Sequence, residues 1–334
     1  FTNFAPQIAD MTILDDIQKT ISSEIEQLNT CMADTLATPN SMMNEIVSNY
    51  LKTKGKQIRP ILVILSAKLF GKVTGSTIAA AASIEMLHNA SLIHDDVVDD
   101  THTRRNRPTI NAVWDNHIAV LVGDFFVSSS LRQAVTTGDF RVIDTISRLG
   151  CTLSLGEIDQ IDKARGHDLD EKSYLGIIGD KTASLFVACV RMGGYSVGAS
   201  DADIERLSRF AYLFGLCFQI KDDIFDYFED TAIGKPTGND LREGKVTLPL
   251  LYALSRTELP RCGEMRSIVC RESLDSGEIA ALIDYAKEAG GIDYAYRRME
   301  EFRAEAVDIL SGFPDSEIRR TFIALFDYVI ARKA

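Results

Sequence analysis

Apolar residues recur every three or four positions along most of the chain. In the segment 13–28 they are Ile13, Leu14, Ile17, Ile21, Ile25 and Leu28. This spacing places them on one stripe of an α-helix, and similar stripes predict further helices, among them a long one over 109–137. No stretch shows the alternation of apolar and polar residues, bounded by turn residues, that is typical of a strand. The sequence therefore predicts an all-α fold.

No Ser-, Gly- or Pro-rich linker divides the 334 residues. We therefore predict one domain over residues 11–334. Residues 1–10 begin with Phe1 and not with Met, so we interpret them as a possible tag or disordered leader. No apolar run reaches the roughly 18 residues needed to span a bilayer, so no transmembrane segment is expected.

The net charge of −12 argues against a nucleic-acid partner, which requires a basic face. The cysteines form no CxxC pair, and reduced core thiols in a cytoplasmic protein are the simpler interpretation. These cysteines are Cys31, Cys151, Cys189, Cys217, Cys262 and Cys270.

Two aspartate clusters share the pattern DDxxD. The first consists of Asp95, Asp96 and Asp99, and the second of Asp222, Asp223 and Asp226. Positions i and i+4 share one helix face, where like charges repel unless a cation lies on them. Carboxylates without His or Cys partners suit Mg²⁺. A solvated acidic helix end is the alternative, but both clusters follow apolar segments, which favours metal binding.

Basic residues that could bind phosphate oxygens occur in four groups. Each alone is typical of a solvated surface, and their grouping around the acidic helices indicates an anion site. The groups are Lys56 with Arg59 at a helix entrance, His88 two turns before Asp95, Arg104 with Arg105, and the Gly-rich loop with Lys235 and Lys245.

These motifs, in this order, resemble the trans-isoprenyl diphosphate synthases, also called polyprenyl synthetases. The resemblance covers nearly the whole chain and rests on eight ordered motifs. They are Gly55-Lys56-x-x-Arg59-Pro60, Leu87-His88-x-Ala90-Ser91-Leu92-Ile93-His94-Asp95-Asp96, Arg104-Arg105, Gly123-Asp124-Phe125, Gly156-Glu157-x-x-Gln160, Lys181-Thr182, Phe218-Gln219-x-x-Asp222-Asp223 and Asp240-Leu241-x-x-Gly244-Lys245-x-Thr247-Leu248-Pro249. Asn106 and Lys54 stand where the family often has Gly, which affects loop geometry and removes no functional group.

The resemblance implies a single-domain isoprenoid synthase helical bundle around a large central cavity, usually a homodimer. It implies a prenyltransferase that joins isopentenyl diphosphate to an allylic diphosphate with several Mg²⁺ ions, held by all six aspartates named above. The implied isopentenyl diphosphate site is Lys56, Arg59, His88 and Arg105. The implied allylic diphosphate contacts are Arg104, Lys181, Thr182, Gln219, Lys235 and Lys245.

The residues one helical turn before Asp95 predict the product length. One turn rises about 5.4 Å, close to the length of an isoprene unit, so these residues limit each extension of the chain. Ala90 and Ser91 are small, whereas family members that stop at short products carry a bulky aromatic here. Leu87, one turn further back, is of medium size. We therefore expect a product longer than farnesyl, namely geranylgeranyl or longer, and a quinone side-chain precursor is one candidate.

Three alternatives stay open at this point. A terpene cyclase of the same fold usually has one DDxxD motif and needs no isopentenyl site, whereas Lys56, Arg59 and His88 are present here. A non-catalytic subunit of a heteromeric prenyl synthase usually lacks one aspartate cluster. An acidic scaffold or interaction protein is the third, and a metal-dependent activity assay would exclude it.

Overall fold

The computed structural model describes residues 5–52, 55–104, 107–166, 169–228, 237–271 and 273–332. Two predicted site residues, Arg105 and Lys235, lie outside the described residues. The chain forms two compact units. The amino-terminal unit comprises Asp15–Gly150 and Phe186–Ser208, and the carboxy-terminal unit comprises residues up to Leu14, Cys151–Leu185 and residues from Arg209 onwards. That residues 11–334 are one domain, and that residues 1–10 are a leader, stay predictions.

The described residues are almost entirely helical, so the prediction of an all-α fold is confirmed. Within the described ranges the only strands are β1 (Thr103–Arg104) and β2 (Arg107–Pro108), which form a two-residue antiparallel ladder. A π-helical turn (Gly179–Ala183) lies between α9 and α10. The helices are α1 (Ala5–Thr20), α2 (Ser22–Leu36), α3 (Ser41–Leu51), α4 (Ile58–Phe70), α5 (Gly75–Val98), α6 (Ile110–Val113), α7 (Asn116–Thr136), α8 (Phe140–Gly166), α9 (Glu171–Ile178), α10 (Ser184–Tyr195), α11 (Asp201–Phe225), α12 (Asn239–Arg242), α13 (Leu248–Ser255), α14 (Cys262–Val269), α15 (Ser276–Glu288), α16 (Gly291–Ser311) and α17 (Glu317–Ala331).

The helix predicted over 109–137 is divided into α6 and α7. Asp115 has an extended backbone, and its side chain accepts the N–H of Ile118 at 2.8 Å. An aspartate in this arrangement caps the first turn of a new helix. The prediction therefore missed a helix start inside a continuous apolar pattern.

Helix α5, which carries the first aspartate cluster, packs closely against α7. A capping box of Thr74 and Thr77 fixes its start. Ser83 and Ser130 each donate a hydroxyl hydrogen bond to the other's backbone carbonyl, at 2.9 and 2.7 Å. Such reciprocal bonds require the two backbones to approach closely, which the small buried residues Ala79 and Ala80 permit, since they lie four and three positions before Ser83 on the same face. The position of α5 is thus set by small side chains along its α7 face.

Gly123 of α7 leaves room for the ring of His94, the residue before Asp95. A Cβ atom on Gly123 would lie 2.2 Å from His94 Nε2. That nitrogen lies 3.3 Å from the carbonyl of Val120 and 3.4 Å from Asp124 Oδ1. The imidazole is therefore held against α7 at the start of the first aspartate cluster.

Replacing Gly123 by alanine is expected to destabilise the protein by about 1–3 kcal/mol, because the added methyl group overlaps the His94 ring. Urea unfolding measures this change. Gly176 in α9 is the matched control, since a Cβ atom there meets nothing within 4 Å. Gly176→Ala should be neutral or stabilising by about 0.5–1 kcal/mol. Equal stability of the two variants would contradict the packing described for His94.

In the carboxy-terminal unit, aromatic residues join α17 to α11. Phe322 and Phe326 pack edge to face on Phe210, with ring centroids 5.4 and 5.8 Å apart, and Phe326 packs on Phe214 at 5.6 Å. All four rings are buried. This contact fixes α17 beside the helix that carries the second aspartate cluster.

Two helical stretches are long and apolar enough to span a membrane, by length and composition alone. They are Asn116–Thr136 and Glu171–Tyr195. More than half of the second apolar window is buried in the protein, and more than a third of the first. Core helices of soluble proteins pass the same test, so this observation is weak evidence for a membrane segment.

Candidate active site

The first aspartate cluster lies at the end of α5 in the amino-terminal unit. Asp96 is buried, and its Oδ1 accepts a hydrogen bond from Arg104 Nε at 2.8 Å. Burial raises the pKa of Asp96, and the Arg104 charge opposes that shift. By helical spacing, Asp95 and Asp99 share a face, and both are more exposed than Asp96. The pair Asp95 and Asp99 is therefore better suited to a metal ion than Asp96.

The β1–β2 hairpin after α5 brings basic residues near this cluster. Arg104 and Arg107 are directly paired across the ladder. Both line a pocket of about 290 Å³ together with Asp96 and apolar residues that include Leu92 and Trp114. The hairpin thus places Arg104 and Arg107 beside the first aspartate cluster, where the sequence predicted Arg104 to lie.

The predicted isopentenyl diphosphate residues lie on α4, α5 and the chain before α4. Lys56 precedes α4, and its carbonyl accepts a hydrogen bond from Gln18. Arg59 lies in the first turn of α4, and its guanidinium lies 5.1 Å from the centre of the Phe186 ring. His88 lies in the middle of α5, which packs against α4. Their joint role in binding stays a prediction.

The second aspartate cluster lies at the end of α11 and is tied into a buried polar network. Asp223 accepts hydrogen bonds from the Tyr174 hydroxyl at 2.5 Å and from Gln219 Nε2 at 2.8 Å. Gln219 Oε1 in turn accepts the Thr182 hydroxyl at 2.8 Å. Burial raises the pKa of Asp223 to about 6, and the two hydrogen bonds oppose this shift. The structure therefore brings the predicted residues Thr182, Gln219 and Asp223 together.

Asp226 organises the segment that follows. Its two carboxylate oxygens accept the backbone N–H groups of Asn239 at 3.0 Å and Asp240 at 3.1 Å. These bonds hold α12 beside the cluster. Burial, together with the charges of Asp223 and Asp226, raises the pKa of Asp240 to about 8, and Lys245 opposes this shift. A fourth carboxylate thus joins the second cluster.

The π-helical turn Gly179–Ala183 presents Lys181 and Thr182. Lys181 forms an ion pair with Glu157, and its Nζ lies 3.4 Å from Gln160 Oε1. Lys245 pairs with Glu243 at 2.5 Å. Isolated π turns are frequent at functional sites. Each of the two lysines is thus held by a carboxylate, and their binding of the allylic diphosphate stays a prediction.

These side chains line one pocket of about 140 Å³ in the carboxy-terminal unit. Of the predicted residues it contains Lys181, Thr182, Gln219, Asp223 and Lys245. Sequence reasoning assigned no role to Gln160, Tyr174 or Asp240, which also line it. Gln160 and Asp240 belong to two of the eight motifs, so the sequence could have indicated both. Tyr174 gives no sequence signal, because only folding brings its hydroxyl to Asp223.

The second cluster fits a hard divalent cation that also binds phosphate. Its donors are carboxylate oxygens only. Burial raises the pKa of both Asp223 and Asp240, and the negative charges of the neighbouring carboxylates raise it further. Among the described residues, no three His, Cys, Asp or Glu side chains are arranged to enclose an ion by themselves. Mg²⁺ is usually bound by one or two carboxylates, with water and phosphate as the other ligands. The residues present match that mode.

The chain is similar to known proteins over most of its length. The polyprenyl synthetase family model matches residues 40–286. The octaprenyl diphosphate synthase of Haemophilus influenzae is 31% identical over 321 residues, which are 95% of this chain and 96% of that protein. Component 2 of the heptaprenyl diphosphate synthase of Geobacillus stearothermophilus is 35% identical over 279 residues, which are 83% and 86% of the two chains. The solved polyprenyl synthase of Caulobacter crescentus CB15, complexed with calcium and isoprenyl diphosphate, has a TM-score of 0.88 and 29% identity, covering 96% of this chain and 98% of that one.

Proposed function

Because the chain belongs to the polyprenyl synthetase family, we propose that it joins isopentenyl diphosphate to an allylic diphosphate and releases a polyprenyl diphosphate longer than farnesyl. The chain is a prenyltransferase. The observation that carries the proposal is the pocket in which Lys181 and Lys245 stand beside the acidic side chains of the second cluster. Opposite charges in one pocket suit a diphosphate bound together with a cation.

The basic side chains of the pocket bind the diphosphate of the allylic substrate in this proposal. Lys181 and Lys245 are held by Glu157 and Glu243, and a diphosphate carries enough charge to compete with both carboxylates. Thr182 and Gln219 are already oriented by their mutual hydrogen bond. Fixed charges of this kind stabilise the negative charge that develops on a leaving group.

The reaction itself needs three bond changes. The allylic C–O bond breaks and the diphosphate departs with the electron pair. The double bond of isopentenyl diphosphate attacks the allylic cation and forms the new C–C bond, which leaves a tertiary cation. A C–H bond next to this cation then breaks, its electron pair forms the double bond of the product, and the proton passes to the released diphosphate. Lys56, Arg59 and His88 hold the diphosphate of isopentenyl diphosphate in this scheme.

The proposed cofactor is Mg²⁺, more than one ion per site. Asp95 and Asp99 would hold it at the first cluster, and Asp222 and Asp226 at the second. A bound ion adds Lewis-acid charge to the diphosphate oxygens. The Caulobacter crescentus protein was solved in complex with calcium and isoprenyl diphosphate, and calcium, like magnesium, is a hard divalent cation that takes oxygen ligands.

Tyr174 and Gln219 hold the Asp223 carboxylate in place beside the proposed metal ligands Asp222 and Asp226. Replacing Tyr174 by phenylalanine leaves a buried carboxylate with one donor fewer, and is expected to cost about 1–3 kcal/mol of stability. Prenyl transfer should fall about 10- to 100-fold, because a shift of the Asp223 carboxylate would disturb the neighbouring proposed metal ligands.

Tyr285→Phe is the matched control for Tyr174→Phe. Tyr285 is also buried in the carboxy-terminal unit, and its hydroxyl donates to the carbonyl of Ala253 at 3.3 Å. Urea unfolding and steady-state assays measure both variants. If Tyr285→Phe loses as much activity as Tyr174→Phe, the hydroxyl of Tyr174 has no particular role in the site.

We also propose that the protein is a homodimer. Helix α7 exposes Val120, Leu121, Leu131 and Val135, which fall within one face of the helix by their spacing. A second copy of the chain would cover this apolar face.

Sedimentation should give twice the chain mass, and Leu121→Glu combined with Val135→Glu should give a monomer. Component 2 of the Geobacillus enzyme raises a heteromeric alternative, which activity of the purified single chain would exclude.

We propose a cytoplasmic location. All six cysteines are free thiols in the structure, which suits a reducing compartment. Fractionation of cells and detection of the protein would test this.

Incubation with labelled isopentenyl diphosphate, several allylic primers and Mg²⁺, followed by chromatography, tests the proposed function. We expect elongated products longer than farnesyl that disappear when EDTA is added. Cyclic hydrocarbons formed without isopentenyl diphosphate would instead identify a terpene cyclase. No product with any primer would contradict the proposal.

A further inference from the structure

Arg332, the residue after α17, lies against the second aspartate cluster. It is only 7% exposed, although it follows the final helix of the described chain. Its Nη2 donates to the Phe218 carbonyl at 2.8 Å and to Asp222 Oδ1 at 2.7 Å. One guanidinium nitrogen therefore joins the backbone of α11 to a carboxylate one turn further along the same helix.

Aromatic rings fix the plane of this guanidinium. It lies 4.1 Å from the centre of the Phe218 ring and 5.6 Å from that of Phe225. Arginine stacks on aromatic faces while it donates hydrogen bonds in its plane. The Phe210, Phe214, Phe322 and Phe326 contacts hold α17 itself against α11. The Arg332 guanidinium is thus held in place both by its aromatic neighbours and by the packing of α17 on α11, without a bound ligand.

The contact constrains Asp222 in a specific way. Oδ1 is engaged by Arg332, so rotation of the carboxylate about its last torsion is restricted. The side chain of Asp222 is 41% exposed, whereas that of Arg332 is 8% exposed. The carboxylate therefore has one end anchored in the protein while it remains accessible to a ligand.

We propose that Arg332 is a positioning residue that holds Asp222 in the orientation in which it binds a divalent cation. The inference rests on the proposed function, because Asp222 is a proposed Mg²⁺ ligand there. Partners that hydrogen-bond to metal ligands orient them, and their loss typically lowers metal affinity about 10- to 100-fold. Charge alone predicts the opposite, since removing a cation beside the ligand would tighten metal binding. A weaker metal affinity on loss of Arg332 therefore indicates positioning of Asp222, whereas a tighter affinity indicates an effect of its charge alone.

Titration of the purified full chain with Mn²⁺, with free Mn²⁺ followed by electron paramagnetic resonance, tests the proposal. We expect Arg332→Ala to weaken Mn²⁺ binding at least about 10-fold. Arg332→Lys keeps the charge but lacks the planar guanidinium, and should recover the affinity only in part. Unchanged or tighter binding by Arg332→Ala would overturn the inference.

A double-mutant cycle separates positioning from general stability. If Arg332 acts through Asp222, Arg332→Ala should add no further loss of Mn²⁺ affinity in an Asp222→Asn background. Additive losses would overturn the inference. Arg303→Ala is the control, because Arg303 pairs with Asp327 of α17 at 2.5 Å and its loss should leave Mn²⁺ affinity unchanged. Absence of prenyl transfer by the wild-type chain would refute the proposed function. The role of Arg332 is decided separately, by the ratio of the Mn²⁺ affinities of Arg332→Ala and wild type.

Discussion

Replacing Asp95 or Asp222 by asparagine is expected to lower the turnover of prenyl transfer by about three orders of magnitude, which corresponds to about 4 kcal/mol of transition-state stabilisation. Each substitution keeps the shape of the side chain and removes the charge that would hold a metal ion. The effect should be on turnover, because the bound ion stabilises charge that develops only as the C–O bond breaks.

The two variants should remain folded. Asp95 lies among like charges that repel one another without a cation, so loss of its charge costs the metal-free protein little. Asp222→Asn loses the ion pair with the buried Arg332, but the amide oxygen can still accept the Arg332 hydrogen bond, so this variant should be the less stable of the two. Circular dichroism and urea unfolding check this. Asp284, exposed on α15, is the control, and Asp284→Asn should leave turnover unchanged. Turnover within a factor of about three of wild type in both cluster variants would refute the assignment of the metal ligands.

Replacing Ser91 by phenylalanine is expected to shorten the product by several isoprene units. Ser91 lies one turn before Asp95 on the same face of α5, and it is partly exposed. A phenyl ring there would occupy the path of the growing chain, since one helical turn is about as long as one isoprene unit. Chromatography of the products measures the shift, while total turnover should change far less than in the aspartate variants.

Ala90→Phe provides the contrast. Ala90 is completely buried, and it lies seven residues after Ser83, so both share the face of α5 that meets α7. A phenyl ring there overpacks the helix pair and should cost about 1–3 kcal/mol of stability or more. Of the two positions predicted from the sequence, Ser91 is therefore the one that should act on product length. Unchanged products from Ser91→Phe would show that the chain grows elsewhere.

How much the sequence could predict depended on how local each feature is. The helices follow from repeats of three and four, and the position of both DDxxD motifs at helix ends could be predicted with them. The i, i+4 spacing does not fix the face of Asp226, because α11 ends at Phe225 and the Asp226 N–H bonds to the Asp223 carbonyl. The break at Asp115 was missed because its apolar flanks continue the helical pattern and only the cap marks the division. Capping bonds depend on backbone angles that periodicity does not report.

Contacts between distant segments could not be predicted. Tyr174 and Asp223 are 49 positions apart, and Arg332 and Asp222 are 110 positions apart. Each is an ordinary residue within its own stretch of sequence. Their roles arise when α9 and α17 pack beside α11. The residues that support the proposed metal ligands could therefore be identified only from the three-dimensional structure.

The serine pair between α5 and α7 limits how this protein could be re-engineered. With Ser83 and Ser130 bonded to each other's carbonyls, the two helices cannot be moved apart by a small change without leaving buried polar groups unbonded. Variants selected for bulkier or longer products should therefore accumulate substitutions on the Ser91 face of α5. Libraries that randomise the face of α5 that meets α7 would mostly yield insoluble protein.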